Sequence, residues 1–118
     1  AVAAAALAPD VVVYLVGYND FSQQTTDFGA RYSQWLANIR AGLPAAKIVC
    51  ITPTWSPNEA PIPLEAYRQE IRDAVPTDIT IVEGPSLAAH DLAMFPDTVH
   101  PDDTASASIA TGLAAFVG

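Results

Sequence analysis

Apolar positions along this chain fall into two patterns: three short, nearly unbroken runs, and between them stripes that recur at helical spacing. The first run, Val11-Val12-Val13-Tyr14-Leu15-Val16, contains no polar position, which predicts a strand buried on both faces of a helix-covered parallel sheet. It closes on Gly17-Tyr18-Asn19-Asp20, where a glycine frees the backbone and short polar side chains follow. Phe21 to Thr26 reads as a polar loop, with Thr26 or Asp27 as the next helix cap. Phe28, Tyr32, Trp35, Leu36, Ile39 and Leu43 then share one helical face, and Gly42 with Pro44 ends the pattern. Lys47 to Ile51 is the second strand.

The loop from Thr52 to Pro61 is punctuated by prolines and has no periodicity. Pro63 opens a helix with Leu64, Tyr67, Ile71 and Val75 on one face, and Pro76 ends it. Asp78 to Glu83 predicts a third strand. A longer connection from Gly84 to Val99 follows, in which Leu87 to Met94 reads as a short helix carrying His90 and Asp91. Pro101 begins the last helix, with Asp102 and Asp103 in its first turn, where the helix dipole favours anions. Ile109, Leu113 and Phe116 form its apolar stripe. Strand and helix alternate without a hairpin signal, the order of a parallel sheet with right-handed crossovers. Residues 1–118 thus make one α/β domain.

Just over half of the 118 residues are hydrophobic (51%), so the chain has the means to bury a core. Its net charge of −8 leaves Arg31, Arg40, Lys47, Arg68 and Arg72 as the cations, too few to make a nucleic-acid surface. No apolar stretch is long enough to span a membrane. The opening residues, Ala1 to Ala8, lack the basic segment of a signal peptide and predict the last turns of a helix leading into the first strand. The first residue is not Met, from which something is expected to have been removed upstream. Cys50, the one cysteine, lies inside an apolar strand and reads as a small core residue, with no disulfide or cysteine metal site open to it.

Candidate chemistry gathers at His100. It stands before a helix start, three residues after Asp97, with Pro101 stiffening the backbone behind it. A helix N-terminus disfavours imidazolium, so a neutral, proton-accepting ring is favoured there. Asp97 can orient that ring and stabilise it once protonated, as in the base half of a nucleophilic triad. In a parallel sheet Asn19 follows the first strand and His100 the third, so both belong to the carboxyl edge, where ligands collect. The Asn19 amide can donate to a developing oxyanion, and Asp20 is expected to hold that loop through backbone amides. Tyr18 and Trp55 are candidate pocket walls, with Trp55 alternatively covering the end of the core.

These segments resemble the SGNH (GDSL-type) hydrolase superfamily. Ala8 to Val13 leading into Gly17-Tyr18-Asn19-Asp20 is similar to its Gly-x-Asn-Asp block. Ala46 to Pro53 is similar to its strand-then-proline segment, and Asp97-Thr98-Val99-His100-Pro101 to its Asp-x-x-His-Pro block. The resemblance implies a flavodoxin-like three-layer α/β/α sandwich and hydrolysis of carboxylic esters such as small acyl esters, lipids or acetylated sugars. It implies no cofactor and no metal. Asn19 becomes an oxyanion donor supported by Gly17 and Asp20, His100 the general base and Asp97 its partner.

The chain departs from that pattern in having no Gly-Asp-Ser nucleophile block and no second-block glycine. The resemblance places the absence at an N-terminal strand, helix and strand. None of the six serines (Ser22, Ser33, Ser56, Ser86, Ser106, Ser108) lies in a strand-to-helix glycine turn; Ser56, on the active edge, is the available substitute. Ala105 stands where the family often has glycine. Losing the first strand makes Val11 to Val16 a bare sheet edge, which predicts pairing with a missing N-terminal part or with a second copy as a homodimer. Two other readings stand beside the esterase: a non-catalytic remnant or complementing half, and a metal hydrolase using His90, Asp91, Asp97 and His100. His90 is expected to serve packing or a surface hydrogen bond.

Overall fold

The structure is a computed structural model that describes residues 6–59 and 63–118. Three parallel strands form its sheet: β1 (Val11–Leu15), β2 (Lys47–Ile51) and β3 (Thr80–Val82), in the order β1-β2-β3. The helices are α1 (Tyr18–Gln23), α2 (Phe28–Gly42), α3 (Leu64–Ala74) and α4 (Asp103–Val117), with 3-10 turns at Gly84–Ser86 and Leu92–Met94. The expected helical turns over 1–8 lie largely outside the described residues, though Ala6 and Leu7 are helical.

Register sorts the core into two layers. Val12 and Tyr14 of β1 pair in line with Ile48 and Cys50 of β2. On that face these side chains pack with Phe28, Tyr32, Leu36 and Ile39 of α2 and Ile71 of α3. Val49, Ile51 and Val82 point the other way and meet Leu87 with Ile109, Leu113 and Val117 of α4. Helices therefore cover both faces, giving the flavodoxin-like three-layer α/β arrangement. Each completely buried aliphatic side chain contributes about 1.5–3 kcal/mol, so Ile39, Ile48, Ile51 and Ile71, all at 2% exposure or less, anchor the two layers. Cys50 is wholly buried, and burial pushes its thiol pKa up, which keeps it neutral.

Several sequence expectations are corrected. β1 is buried on one face only: Val13 and Leu15 are each 46% exposed on the α4 side, because α4 lies over β2 and β3. Residues 18–23, read as loop, form α1, since Phe21 is buried and ties this polar segment to the core. Residues 87–94 form no continuous helix but a 3-10 turn over Leu92–Met94, capped by the Asp91 carboxylate, which accepts from Ala93 N–H at 3.0 Å. Val117 replaces Phe116 on the packed stripe of α4, and Phe116 is 36% exposed.

Cap chemistry fixes where α4 starts. The Asp102 carboxylate accepts from Ala105 N–H at 2.9 Å, satisfying one of the orphan donors of the first turn. At the far end of α2, Arg40 donates to the Ala46 carbonyl at 2.7 Å, a cation placed where helix carbonyls run out. Gly84 follows β3 so closely against β2 that a Cβ there would lie 1.9 Å from the Thr52 carbonyl oxygen. That contact brings the segments leaving β2 and β3 together at the edge where the polar residues gather.

Candidate functional site

Parallel topology sends the carboxyl ends of the strands to one rim, and three segments meet there: α1 after β1, the Thr52–Glu59 loop after β2, and the 95–102 segment after β3. Gly17 makes the first turn possible. Its φ of 124° is a conformation closed to side chains without strain, and a Cβ there would crowd Pro53 Cγ at 3.0 Å. Tyr18 and Asn19 then enter α1 directly beyond the strand.

A cavity of about 370 Å³ opens between these segments. Leu15, Val16, Gly17, Tyr18, Asn19 and Asp20 form one wall. Pro53, Thr54 and Ser56 form the second, and Val99 with His100 the third. Asn19 and His100, separated by most of the sequence, thus line the same cavity.

The Asp97 carboxylate organises the His100 turn with both of its oxygens. Oδ2 lies 2.6 Å from His100 Nδ1, while Oδ1 accepts from the backbone N–H groups of Val99 at 2.9 Å and His100 at 2.6 Å. The bond from the His100 ring, then those from the two amides, hold the Asp97 carboxyl well below the usual carboxylate range. A carboxylate at that distance accepts a hydrogen bond from Nδ1–H, which keeps the ring proton on Nδ1 and leaves the Nε2 lone pair free, the tautomer a general base needs. The imidazole is 79% exposed, so Nε2 is open to a reacting group.

Thr98, inside this turn, has φ 65°. A β-branched residue in the left-handed region is strained by roughly 1–3 kcal/mol and persists only where its surroundings hold it. Asn58 Nδ2 donates to Thr98 Oγ1 at 2.9 Å, and Ser56 Oγ lies 3.4 Å from the Thr98 carbonyl oxygen.

The loop carrying Ser56 and Asn58 is itself pinned by Arg68, a cation 3% exposed on α3. Its guanidinium donates to the Pro53 carbonyl at 2.8 Å, to the Thr54 carbonyl at 3.0 Å, and to both Glu59 oxygens at 2.9 Å. Burial opposes ionisation of Glu59, but hydrogen bonds from Arg68 and the Ser56 amide outweigh it and depress the pKa. Arg72 does the same for Glu83 at 2.8 and 2.9 Å, tying α3 to the end of β3.

Other sequence candidates are placed elsewhere or differently. Trp55 is not on the cavity. It stacks on His90 with ring centroids 5.1 Å apart and meets Phe95 edge-on at 5.2 Å, covering the end of the core. His90 Nε2 donates to the Pro85 carbonyl at 2.7 Å, and its ring lies against Trp55. Asp20 lines the cavity, but no backbone amide bonds its carboxylate among the described residues; its main-chain carbonyl accepts from Thr25 N–H instead. The four residues of the metal reading do not converge: no group of three or more His, Cys, Asp or Glu side chains suited to a metal occurs among the described residues.

Arg68 and the contacts to Thr98 escaped the sequence reading. Arg68 left a trace, a charge set on the buried face of α3 between Leu64 and Ile71. The contacts of Ser56 and Asn58 left none, because they join loops 40 or more positions apart.

The model of the GDSL-like lipase/acylhydrolase family matches residues 1–107. No curated protein matches the chain. Among solved structures, one crystal structure superposes with a TM-score of 0.71 at 22% identity, over 92% of this chain and 66% of its own. The salicylyl-acyltransferase SsfX3 from a tetracycline biosynthetic pathway superposes with a TM-score of 0.68 at 19% identity, over 91% of this chain and 38% of its own. At these identities the likeness is one of fold, and this chain spans less than two thirds of either protein.

Proposed function

The chain belongs to the GDSL-like lipase/acylhydrolase family, and from that premise we propose that it forms the base-and-oxyanion part of a serine esterase acting on a small acyl ester, a lipid or an acetylated sugar. The observation that carries this reading is the 2.6 Å bond from His100 Nδ1 to Asp97 on a cavity shared with Asn19. In the reaction, His100 Nε2 takes the proton of a serine hydroxyl as its oxygen attacks the ester carbonyl carbon. The Asn19 amide donates to the carbonyl oxygen as charge develops there. Imidazolium, held by Asp97, returns the proton to the departing alcohol, and water then repeats the sequence on the acyl-serine.

The serine is proposed to come from outside the 118 residues. Ser56 is the one serine lining the cavity, yet it is 2% exposed and its hydroxyl faces Thr98 O and Tyr18 Oη at 3.4 and 3.5 Å. A nucleophile needs a hydroxyl paired with the base; this one is paired with the fold. The second reading, a non-catalytic complementing half, is favoured by the same observation.

Hydrolysis of p-nitrophenyl acetate tests both. The isolated chain should be inert, and joining it to a Gly-Asp-Ser strand segment should produce turnover that Asn19→Ala lowers by about 10²–10³-fold. Turnover by the isolated chain that is lost in Ser56→Ala would instead make Ser56 the nucleophile. A joined protein that stays inert would leave the complementing-half reading.

Pairing belongs to the same proposal. β1 is an edge of the sheet, carrying no charge, proline or bulge, and Val13 and Leu15 leave an apolar face beside it. The isolated chain should sediment as a dimer at low concentration and become a one-to-one complex when the serine-bearing strand is supplied. A sharply melting monomer would refute this.

A further inference from the structure

We propose that Ser56 and Asn58 are positioning residues that clasp the His100 turn and set where its imidazole stands relative to Asn19. The clasp rests on the esterase reading only for the reaction it would serve; its geometry stands apart.

The Asp97 carboxylate orders the turn from within, since its bonds among the described residues all end between Val99 and His100. Such a turn can keep its internal form and still move as a unit. What ties it to the rest of the cavity is Thr98. Its hydroxyl donates to the Asp97 carbonyl at 2.6 Å, which presents Oγ1 as an acceptor to Asn58 Nδ2 at 2.9 Å.

Ser56 supplies the second tie. A serine hydroxyl has one proton and can accept others. With that proton directed to the Thr98 carbonyl, the Tyr18 hydroxyl can donate to Ser56 Oγ across 3.5 Å. The residue beside Asn19 is then linked through one buried hydroxyl to the residue two before His100. The Asn58 N–H, 3.3 Å from Ser56 Oγ, ties the two clasp residues together. Their loop is fixed in turn, because Glu59 accepts from Ser56 N–H at 2.9 Å while held by Arg68. The left-handed backbone of Thr98 is the expected cost of bringing its carbonyl and its hydroxyl to the two partners at once. The exposed imidazole has little packing of its own to fix it.

The clasp is tested by nitrogen-15 relaxation and proton NMR on the chain itself. Asn58→Ala removes one exposed amide, and Thr98→Val removes the hydroxyl while keeping the branched shape. Either should lower the order parameters of residues 97–100 from about 0.85 to below about 0.6 and exchange-broaden the His100 Nδ1–H signal. Thr98→Ser, which keeps the hydroxyl, should restore both. The double variant should be no worse than Thr98→Val alone, as for two groups sharing one bond. In a serine-completed esterase, kcat should fall by up to about 10²-fold at unchanged KM, the expected result of a misplaced base.

An Asn58→Ala turn as rigid as the wild type, with its Nδ1–H signal intact, would overturn the clasp. So would loosening spread evenly over the chain with a matching fall in melting temperature. A loosened turn in a protein that hydrolyses no ester would uphold the clasp and count against the esterase alone.

Discussion

Replacing His100 with alanine should lower kcat for p-nitrophenyl acetate by about 10⁴-fold or more in the serine-completed protein, with KM little changed. The reason lies in what the imidazole does at one atom. In the proposed mechanism Nε2 is the proton acceptor at the cavity, and its availability depends on Asp97 occupying Nδ1 at 2.6 Å. Substrate binding draws mainly on the walls formed by residues 15–20 and by Pro53, Thr54 and Ser56, which the substitution leaves in place. The ring is 79% exposed and on a surface turn, so the fold should tolerate its loss and the melting temperature should stay within a few degrees. Asp97→Asn should produce a comparable fall by a different route: an amide can donate to Nδ1, reverse the tautomer and cover the wrong nitrogen. A His100→Ala protein that retains turnover would remove His100 from the chemistry.

Arg68→Ala should destabilise the protein by about 3 kcal/mol, the low end of the cost of breaking a buried ion pair, and lower the melting temperature by roughly 10–15 °C. The low end applies because the Glu59 and Glu65 side chains keep 22% and 59% of their surface in water. The loss is not one of charge alone. Two loop carbonyls, of Pro53 and Thr54, lose their donors, and a buried acceptor without a partner is costly. Arg68→Lys should recover only part of the stability, since a single ammonium cannot reach both carbonyls and both Glu59 oxygens. Thermal melts over a pH series check the electrostatic share. Glu59 has a depressed pKa when folded, so its contribution is complete above the ordinary glutamate range and is lost as pH falls below it. Arg68→Ala should flatten that acid limb. An unchanged melt would show that the loop is held by something other than Arg68.

Because Arg68 holds the loop that carries Ser56 and Asn58, its loss should also loosen residues 97–100. The two large effects are therefore distinguishable: His100→Ala removes reaction and spares stability, whereas Arg68→Ala removes stability and disturbs reaction at a distance.

How much of this was legible beforehand varies by residue. The three strands were readable because unpunctuated runs such as Val11 to Val16 and Lys47 to Ile51 suit little else, and the helical stripe from Phe28 to Leu43 repeats often enough to be unambiguous. Asp97 and His100 were readable as a pair because three positions separate them and their bonds are local. α1 was missed since its polar sequence gives no stripe; Phe21 alone ties it down, and that contact belongs to the tertiary structure. Trp55 was assigned to two places by its sequence setting, and its stack on His90 placed it at the end of the core. The exposed half of β1 had the same cause as these misses. Alternation is invisible in a run that is apolar throughout, so which face is covered depends on where α4 lies.

Sequence by itself determined the α/β class, the parallel direction implied by helical crossovers, the core stripes and the Asp97–His100 unit, because each follows from patterns within neighbouring segments. Strand topology read from the sequence put Asn19 and His100 on one sheet edge; tertiary structure alone decided that they line one cavity there, that Ser56 and Asn58 reach Thr98, and that Arg68 is buried at the root of that loop. Those contacts join residues 9 to 81 positions apart, and chain spacing carries no information about distance once the segments between have folded. The sheet supplies it: parallel strands deliver their carboxyl ends to one rim, and packing, not periodicity, sets which side chains meet there.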